Sequence, residues 1–222
     1  MKNKMISVFV FLLLFFVGLN AMKKGRGRGG AGKQKVTTAK EKSPEKKELS
    51  PQQATEKLMQ VLQDRDLIEQ QAMRKILPLL EAGAEVDKIQ IIMPICSAAN
   101  RGWLNVLRLF IAKLRKDYGD NEQKYLNLFC KEGGYGPLYW AICGTTDNRY
   151  KCVLEILRLL ELINFEKLIR AVLQHRYFHH RFRDKSNMTL IELAETEKAG
   201  EKVIGLLVAY FAKHEIEVEQ DE

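Results

Sequence analysis

The sequence predicts an all-α fold in which helical hairpins are repeated along the chain. The first observation is that apolar residues recur at helical spacing from Thr55 onward, almost without interruption. The second is that short segments with a proline or threonine start are each followed, after a turn, by a longer apolar stripe. The third is that this unit occurs several times. Because one hairpin can bury its apolar face only against its neighbours, repeated hairpins indicate a solenoid.

The first hairpin is predicted upstream of residue 84. Leu58 and Leu62 share one face of a helix whose start is predicted at Ser50-Pro51. A second helix is predicted over 67–80, where Pro78 should weaken or bend the last turn. Gly83 should end this helix, because glycine adopts the backbone conformation found after many helix C-termini.

Three further hairpins repeat one plan, in which a short helix precedes a longer apolar stripe. The short helices begin near Pro94, Pro137 and Thr189. The longer stripes cover 104–114, 153–160 and 203–211. Because the connection inside each unit is short, its two helices should lie antiparallel. Long insertions separate the units near 113–131 and 161–185.

Four segments of the chain follow the order of a known repeat motif. Segment 79–87 reads LLEAGAEVD, and segment 93–110 reads MPICSAANRGWLNVLRLF. Segments 136–141, GPLYWA, and 189–194, TLIELA, look like further repeat starts. These residues resemble the ankyrin-repeat family, whose repeats share a Thr-Pro-Leu-His start, paired alanines and a glycine before the second helix. The second of these segments carries most of the resemblance.

The resemblance implies an ankyrin-like helical-hairpin solenoid over residues 55–214, with about three and a half irregular repeats and long inter-repeat insertions. It also implies a concave face, formed by inner helices and hairpin tips, that binds a protein partner. The motif histidine of the family is replaced by Cys96 and Tyr139. We therefore expect the hydrogen bonds of that histidine to neighbouring loops to be missing.

Six residues are candidates for partner binding on this implied face. They are Asn100, Arg101, Trp103, Tyr135, Tyr139 and Arg149. Aromatic residues and arginine are the usual energetic anchors of protein interfaces. The competing interpretation, favoured for each residue singly, is that Trp103 and Tyr139 fill the space between repeats.

Residues 1–21 have the layout of a secretory signal peptide. Lys2 and Lys4 form a positive start, an apolar run over 5–17 follows, and Ala21 stands at the expected cleavage point. The run is shorter than the roughly 20 apolar residues that span a bilayer, which favours a cleaved leader over an uncleaved anchor. We therefore expect a protein that is exported to the periplasm or secreted, with no transmembrane segment after leader removal.

The net charge of +8 is concentrated at the N-terminal side of the chain. Residues 22–54 are predicted to be a disordered basic linker, and 215–222 an acidic C-terminal tail. Between 22 and 50 there are ten lysines and arginines against three glutamates, whereas 51–222 holds 24 basic and 25 acidic residues. The folded part is therefore balanced, and its charge does not indicate nucleic-acid binding. A spacer is the favoured role of the arm, ahead of attraction to anionic lipids or cell-wall polymers and then of nucleic acid.

The four cysteines are Cys96, Cys130, Cys143 and Cys152, and none has the C-x-x-C spacing of a zinc site. All lie among apolar neighbours, where a free cysteine behaves as a small buried hydrophobe. Buried thiols are therefore favoured. An exported chain with four cysteines also permits two disulfides, with three possible connectivities.

The segment 175–183 is rich in histidine, arginine and aromatic residues. The favoured interpretation is an extra helix that packs its aromatic rings on the stack and leaves its cations in water. The alternative is a basic-aromatic patch for an anionic or peptide partner. On a helix, His175 and His179 would face the same way, as in two-histidine metal sites, but no third ligand is evident.

No motif in the sequence predicts catalysis, a cofactor or a metal centre. There is no G-x-S-x-G element, and the glycines of 25–32 do not lie between a strand and a helix as in a phosphate-binding loop. The sequence therefore predicts an exported, non-catalytic protein–protein interaction scaffold. The alternative is an envelope- or polyanion-associated binding protein that uses the basic arm and the 175–183 patch. A metal-dependent enzyme built on those histidines is the third and weakest hypothesis.

Overall fold

The computed structural model describes residues 49–88, 92–130, 135–177 and 188–214. Regular structure in these ranges is helical, apart from one antiparallel bridge between Tyr177 and Met188. The all-α prediction is therefore confirmed for this part of the chain. Within the same ranges, no helix has both the length and the apolar character needed to cross a membrane. The predicted leader, most of the basic linker and the acidic tail lie outside the described residues.

Ten helices are present in the described ranges. In chain order they are α1 Pro51–Gln63, α2 Glu69–Glu81, α3 Pro94–Asn100, α4 Leu104–Tyr118, α5 Glu122–Phe129, α6 Pro137–Cys143, α7 Arg149–Ile163, α8 Glu166–Gln174, α9 Leu190–Thr196 and α10 Glu201–Lys213.

The starts and ends of the first two helices follow from local chemistry. The Ser50 hydroxyl accepts a hydrogen bond from the Gln53 N–H, and the Gln53 side chain accepts one from the Ser50 N–H, which forms a capping box. Helix α2 contains Pro78 and ends at Glu81. Gly83 follows the C-cap residue Ala82 and has a φ of 89°, which confirms that this glycine ends the helix.

The boundary predicted for the disordered linker is wrong at its C-terminal end. Residues 51–54 were expected in the linker but form the first turn of α1, and the Ala54 side chain is fully buried. Proline suits the first turn of a helix because its missing N–H has no partner there in any case. The apolar period alone placed the start of the domain too late, because three of these four residues face solvent.

The helices form four hairpins, namely α1–α2, α3–α4, α6–α7 and α9–α10. The first helices of the hairpins contact one another in chain order, from α1 through α3 and α6 to α9. The second helices do the same, from α2 through α4 and α7 to α10. Buried apolar side chains of both rows form one hydrophobic core.

The two predicted insertions contain the remaining helices, α5 and α8, which contact each other. Each follows the second helix of a hairpin, and therefore leaves the fold at the end opposite the hairpin turns. Four of the nine residues of α8 are buried on one side, and they are Leu168, Ile169, Val172 and Leu173. The insertions thus add a second helical layer at one end of the hairpins.

Candidate partner-binding surface

Arg101, the first residue after α3, ties the second hairpin to the turn of the first. Its Nη1 donates to the carbonyl oxygens of Leu62, at 3.0 Å, and Asp64, at 2.6 Å. Its Nη2 donates to those of Arg65, at 3.3 Å, and Leu67, at 3.0 Å. One guanidinium therefore satisfies four backbone acceptors of the turn between α1 and α2, using its rigid fork of donors.

Trp103 lies next to this guanidinium, in the same turn. The Arg101 Cζ is 3.8 Å from the centre of the Trp103 ring, which is a cation–π contact. The Trp103 side chain is only 7% exposed. Partial burial lowers the pKa of Arg101, and the nearby Asp64 opposes this shift. Arg101 and Trp103 therefore act as one packed unit that fixes the turn.

The turns of the second and third hairpins are in close backbone contact. Gly102 has a φ of 66°, and a Cβ at this position would lie 1.8 Å from the Thr146 Oγ1. The Asn148 side-chain amide donates to the Gly102 carbonyl at 3.2 Å. A Cβ on Gly144 would lie 2.6 Å from the carbonyl oxygen of Asn100. Both glycines are thus needed for the two turns to approach each other.

The third and fourth hairpins are joined in the same way. The Arg149 Nη1 donates at 3.2 Å to the carbonyl oxygen of Glu197, the residue that follows α9. Side-chain donors therefore connect each hairpin turn to the next through backbone carbonyls. We call this line of contacts, formed by residues 62–67, 100–103, 144–149 and 197, the turn edge.

A cluster of aromatic rings occupies the space around the first turn of α6. The Tyr135 and Tyr139 rings are 4.9 Å apart, and the Tyr139 ring stacks on that of Tyr177 at 5.8 Å. Trp140 meets Tyr139 edge-on at 5.4 Å. Tyr139 and Tyr177 are buried, whereas Tyr135 and Trp140 are half-buried. This cluster joins the third hairpin to the chain that leaves α8.

The expectation that Cys96 makes no hydrogen bond to a neighbouring loop is wrong. Its Sγ donates to the Tyr135 carbonyl oxygen at 3.7 Å, a weak bond to the loop that precedes α6. At the first hairpin, the Thr55 hydroxyl accepts from the Glu85 N–H at 2.9 Å and so contacts the loop that follows α2. Small polar side chains at the starts of the first helices thus hold adjacent loops.

The six predicted partner-binding residues fall into two groups. Four of them lie together at the turn edge: Asn100, Arg101, Trp103 and Arg149. The other two, Tyr135 and Tyr139, belong to the aromatic cluster. Trp103 and Tyr139 have almost no exposed surface, and Arg101 and Arg149 donate hydrogen bonds to neighbouring turns. All six therefore contribute to packing between hairpins.

A groove of about 490 Å³ lies beside the turn edge, between the C-terminal half of α1 and α3. Its lining residues are Met59, Leu62, Gln63, Arg65, Ile92, Ser97 and Arg101. The apolar part of the lining is Met59, Leu62 and Ile92, and the polar part is one amide, one hydroxyl and two guanidinium groups. Grooves of this size with an apolar floor and few polar groups are typical of ligand and peptide sites. Among these residues the sequence singled out only Arg101 for binding, because the others come from separate segments without a local motif.

The 175–183 segment does not begin as the expected helix. Helix α8 ends at Gln174, His175 is extended with a ψ of 135°, and Tyr177 pairs with Met188. The proposed alignment of His175 and His179 on one helical face therefore has no basis at His175, whose ring instead packs edge-on against Tyr177 at 4.8 Å. Burial lowers the pKa of His175. Residues 178–183 lie outside the described ranges.

A smaller depression of about 220 Å³ lies between α8 and the end of α10. It is lined by Glu166, Ile169, Arg170, Lys213 and His214. Its cations already have partners, since Arg170 pairs with Glu166 at 3.0 Å and Lys213 pairs with Glu161. Its charge is thus largely compensated.

All four cysteines are free thiols, and three of them are buried while Cys130 is half-buried. Burial raises the pKa of Cys130 to about 11 and that of Cys152 to about 12. The pKa of Cys96 is also raised by burial. Because the thiolate is the reactive form, these cysteines are poor nucleophiles.

No group of three or more His, Cys, Asp or Glu side chains within the described ranges is arranged to hold a metal ion. Comparisons of the chain with protein-family models, with curated proteins and with solved structures found no match.

Proposed function

We propose that this protein is an ankyrin-like helical-hairpin solenoid that acts as a non-catalytic protein–protein interaction scaffold after export. The ankyrin-like arrangement is supported by the order of helix contacts, in which first helices form one row and second helices another. It is also supported by the short connection of Arg101, Gly102 and Trp103 between α3 and α4, where the repeat motif places its turn. Units that contact only their neighbours in this way produce extended surfaces suited to binding.

The groove beside the turn edge is the observation that carries the binding function. Its apolar floor offers burial, Arg65 offers charged hydrogen bonds at the rim, and Arg101 adds a positive charge beside it. The turn edge holds two sides of this groove in a fixed geometry, because Arg101 bonds the turn that contains Arg65. A rigid groove loses little conformational entropy when a partner binds.

A non-catalytic role agrees with the chemistry of the candidate nucleophiles. Burial raises the pKa values of the Cys96, Cys130 and Cys152 thiols, which disfavours the reactive thiolate form. Export is proposed from the signal-peptide layout of residues 1–21. Mass spectrometry of the secreted or periplasmic fraction tests it: a mature chain that begins at Met22 is expected, and a chain that retains residues 1–21 in the cytosol contradicts it.

Site-specific photocrosslinking tests the scaffold proposal. A photoreactive residue at Gln63, which is exposed at the groove, should capture a discrete partner from the native compartment. The matched control is the same residue at Lys75, which is exposed on α2 outside the groove. Equal capture at the two positions, with unchanged melting of both variants, contradicts the proposal.

The second candidate function is binding to an anionic envelope or polyanion through the basic arm, which the excess of ten basic over three acidic residues in 22–50 favours. Binding to vesicles with anionic lipid should then weaken with salt and disappear when residues 23–47 are deleted. If binding persists after the deletion, the basic arm is not the segment that binds the vesicles.

A further inference from the structure

We propose that the groove beside the turn edge binds residues 215–222 of a second copy of this chain. The inference rests on the proposed interaction function and names the partner as the protein itself. The contact is heterologous, because the groove and the C-terminal segment are different surfaces of the molecule.

The charge of the groove is unbalanced among its lining residues. Arg65 and Arg101 are the only charged groups in the lining, and both are cationic. Arg101 donates to backbone carbonyls, which are neutral, and it forms no ion pair within the described residues. The Arg65 side chain is exposed and has no ion pair within the described residues. Asp64 is the carboxylate that faces Arg101 from the neighbouring turn. The groove therefore favours a ligand that combines aliphatic side chains with several carboxylates.

Residues 215–222 have this combination in their sequence, EIEVEQDE. Five of these eight residues are acidic, and the two aliphatic residues, Ile216 and Val218, are two positions apart. In an extended segment, side chains at i and i+2 point to the same side. Ile216 and Val218 can then face Met59, Leu62 and Ile92 while the glutamates beside them reach the rim. The segment itself lies outside the described residues, so this argument uses only its sequence.

Residues 215–222 are too short to reach the groove of their own molecule, which indicates that a second copy supplies the groove. Helix α10 starts next to its hairpin turn and ends at Lys213, about 20 Å away from that turn at 1.5 Å per residue. The groove is at the turn end of α1, three hairpins further along the stack, or roughly 25–30 Å at usual helix spacings. Eight extended residues span at most about 27 Å, which is shorter than the diagonal of these two distances. The groove of the same molecule is therefore out of reach.

The depression next to His214 is a poorer site for the same segment. Its Arg170 and Lys213 already pair with Glu166 and Glu161. An acidic segment there would have to displace existing carboxylates and would meet like charge. The two arginines of the groove, in contrast, form no ion pair within the described residues.

A labelled peptide of sequence 214–222 tests the contact on the full chain by fluorescence anisotropy. We expect saturable binding that weakens as salt is raised. Arg65→Glu should weaken it about five- to tenfold, because it replaces one attraction with a repulsion at a partly exposed site. Arg74→Glu is the matched control, since Arg74 is exposed on α2 outside the groove, and it should leave the affinity within about twofold. Equal affinities of the two variants overturn the proposal, as does absence of binding.

Sedimentation of the full chain tests whether the segment comes from a second copy. Association should increase with concentration and be lost in an Ile216→Ser, Val218→Ser variant. A charge-swapped pair, Arg65→Glu mixed with Glu217→Lys, should restore part of the association. The proposal is contradicted if the chain stays monomeric at all concentrations and binds the peptide only when its own segment carries the two serines. That result would mean that the segment docks in the groove of its own molecule.

Failure of this inference is distinguishable from failure of the scaffold function. If the peptide does not bind but a photoreactive residue at Gln63 still captures another protein, only the proposal of a second copy is wrong. Loss of both removes the groove as a binding site.

Discussion

The turn edge and the α5–α8 pair both join successive hairpins, and the two regions are held together by different physical interactions. At the turn edge, Arg101 donates four hydrogen bonds to backbone carbonyls and Arg149 donates one, and Gly102 and Gly144 allow close backbone contact. At the α5–α8 pair, buried apolar side chains and aromatic rings make the contact. Hydrogen bonds are directional, whereas apolar contact tolerates changes of angle.

The aromatic part of the α5–α8 pair is centred on Tyr125. Its ring lies 5.0 Å from that of Tyr118, at the end of α4, and 6.3 Å from that of Phe165, which precedes α8. Leu168 and Val172 of α8 are fully buried. The Tyr118 hydroxyl also donates to the Asp87 carboxylate, and burial, followed by this bond, raises the pKa of Tyr118. The comparison teaches that the turn edge sets the register of the hairpins, while the α5–α8 pair adds buried area.

The largest effect should come from breaking the backbone contact of the turn edge. Gly102→Val places a branched side chain at a φ of 66° and against Thr146. Left-handed strain and overpacking together should cost about 4 kcal/mol of unfolding free energy. Gly200→Val is the control, because its φ is 86° but nothing lies within 4 Å of its Cβ. Chemical denaturation of both variants measures the difference, and equal losses would show that crowding between turns contributes nothing.

Removing buried area from the α5–α8 pair should have the next largest effect. Leu168→Ala deletes a fully buried side chain, and the loss of burial with the remaining cavity should cost about 3 kcal/mol. If the pair opens locally, labelling of Cys130, at the end of α5, should accelerate while Cys96 in the hairpin core stays protected. Identical acceleration at both cysteines would mean that the pair and the hairpins unfold as one unit.

The polar bonds of the turn edge should give a smaller loss. Arg101→Met keeps much of the side-chain length but removes four hydrogen bonds to carbonyls that water can reach after the change. We expect a cost of about 2 kcal/mol. Arg74→Met, on the exposed surface of α2, should change the melting temperature little. If Arg101→Met lowers the stability no more than this control does, the Arg101 guanidinium does not stabilise the turn edge.

The smallest effects should come from removing single tyrosine hydroxyls around α5 and α8, and the stability should change in opposite directions at two of them. The buried Tyr125 hydroxyl has no hydrogen-bond partner among the described residues, whereas the Tyr177 hydroxyl donates to the Val172 carbonyl at 3.2 Å. Tyr125→Phe should therefore stabilise the protein by up to about 1 kcal/mol, and Tyr177→Phe should destabilise it by about 1 kcal/mol. Calorimetry of the two variants tests this, and a loss of stability in Tyr125→Phe would show that its hydroxyl is satisfied in solution.

The sequence predicted the hairpins well because their signals are local. Pro94, Pro137 and the threonine at 189 mark helix starts by the backbone chemistry of those residues, and Gly83 marks an end. The helical class and the two insertions followed from apolar periodicity. The start of α1 at Ser50-Pro51 was predicted, whereas the linker was extended to residue 54 because the first turn of this helix is mostly exposed.

The candidate site was harder to predict because it depends on contacts between distant segments. Arg101 was chosen as an exposed anchor, yet it bonds residues more than thirty positions away. The groove combines α1, the following turn, Ile92 and α3, and no spacing in the sequence connects these segments. The extended backbone at His175 likewise follows from pairing with Met188, which periodicity does not show.

The position of the two insertions has a consequence for how such a chain can change over generations. Both α5 and α8 leave from the ends of second helices, away from the turns that bond each other. Added length there does not alter the distance from one turn to the next, so the spacing along the turn edge is kept. New segments can be inserted after α4 or α7 while the turn edge keeps its geometry, whereas an added residue between α3 and α4 would disrupt the turn edge itself.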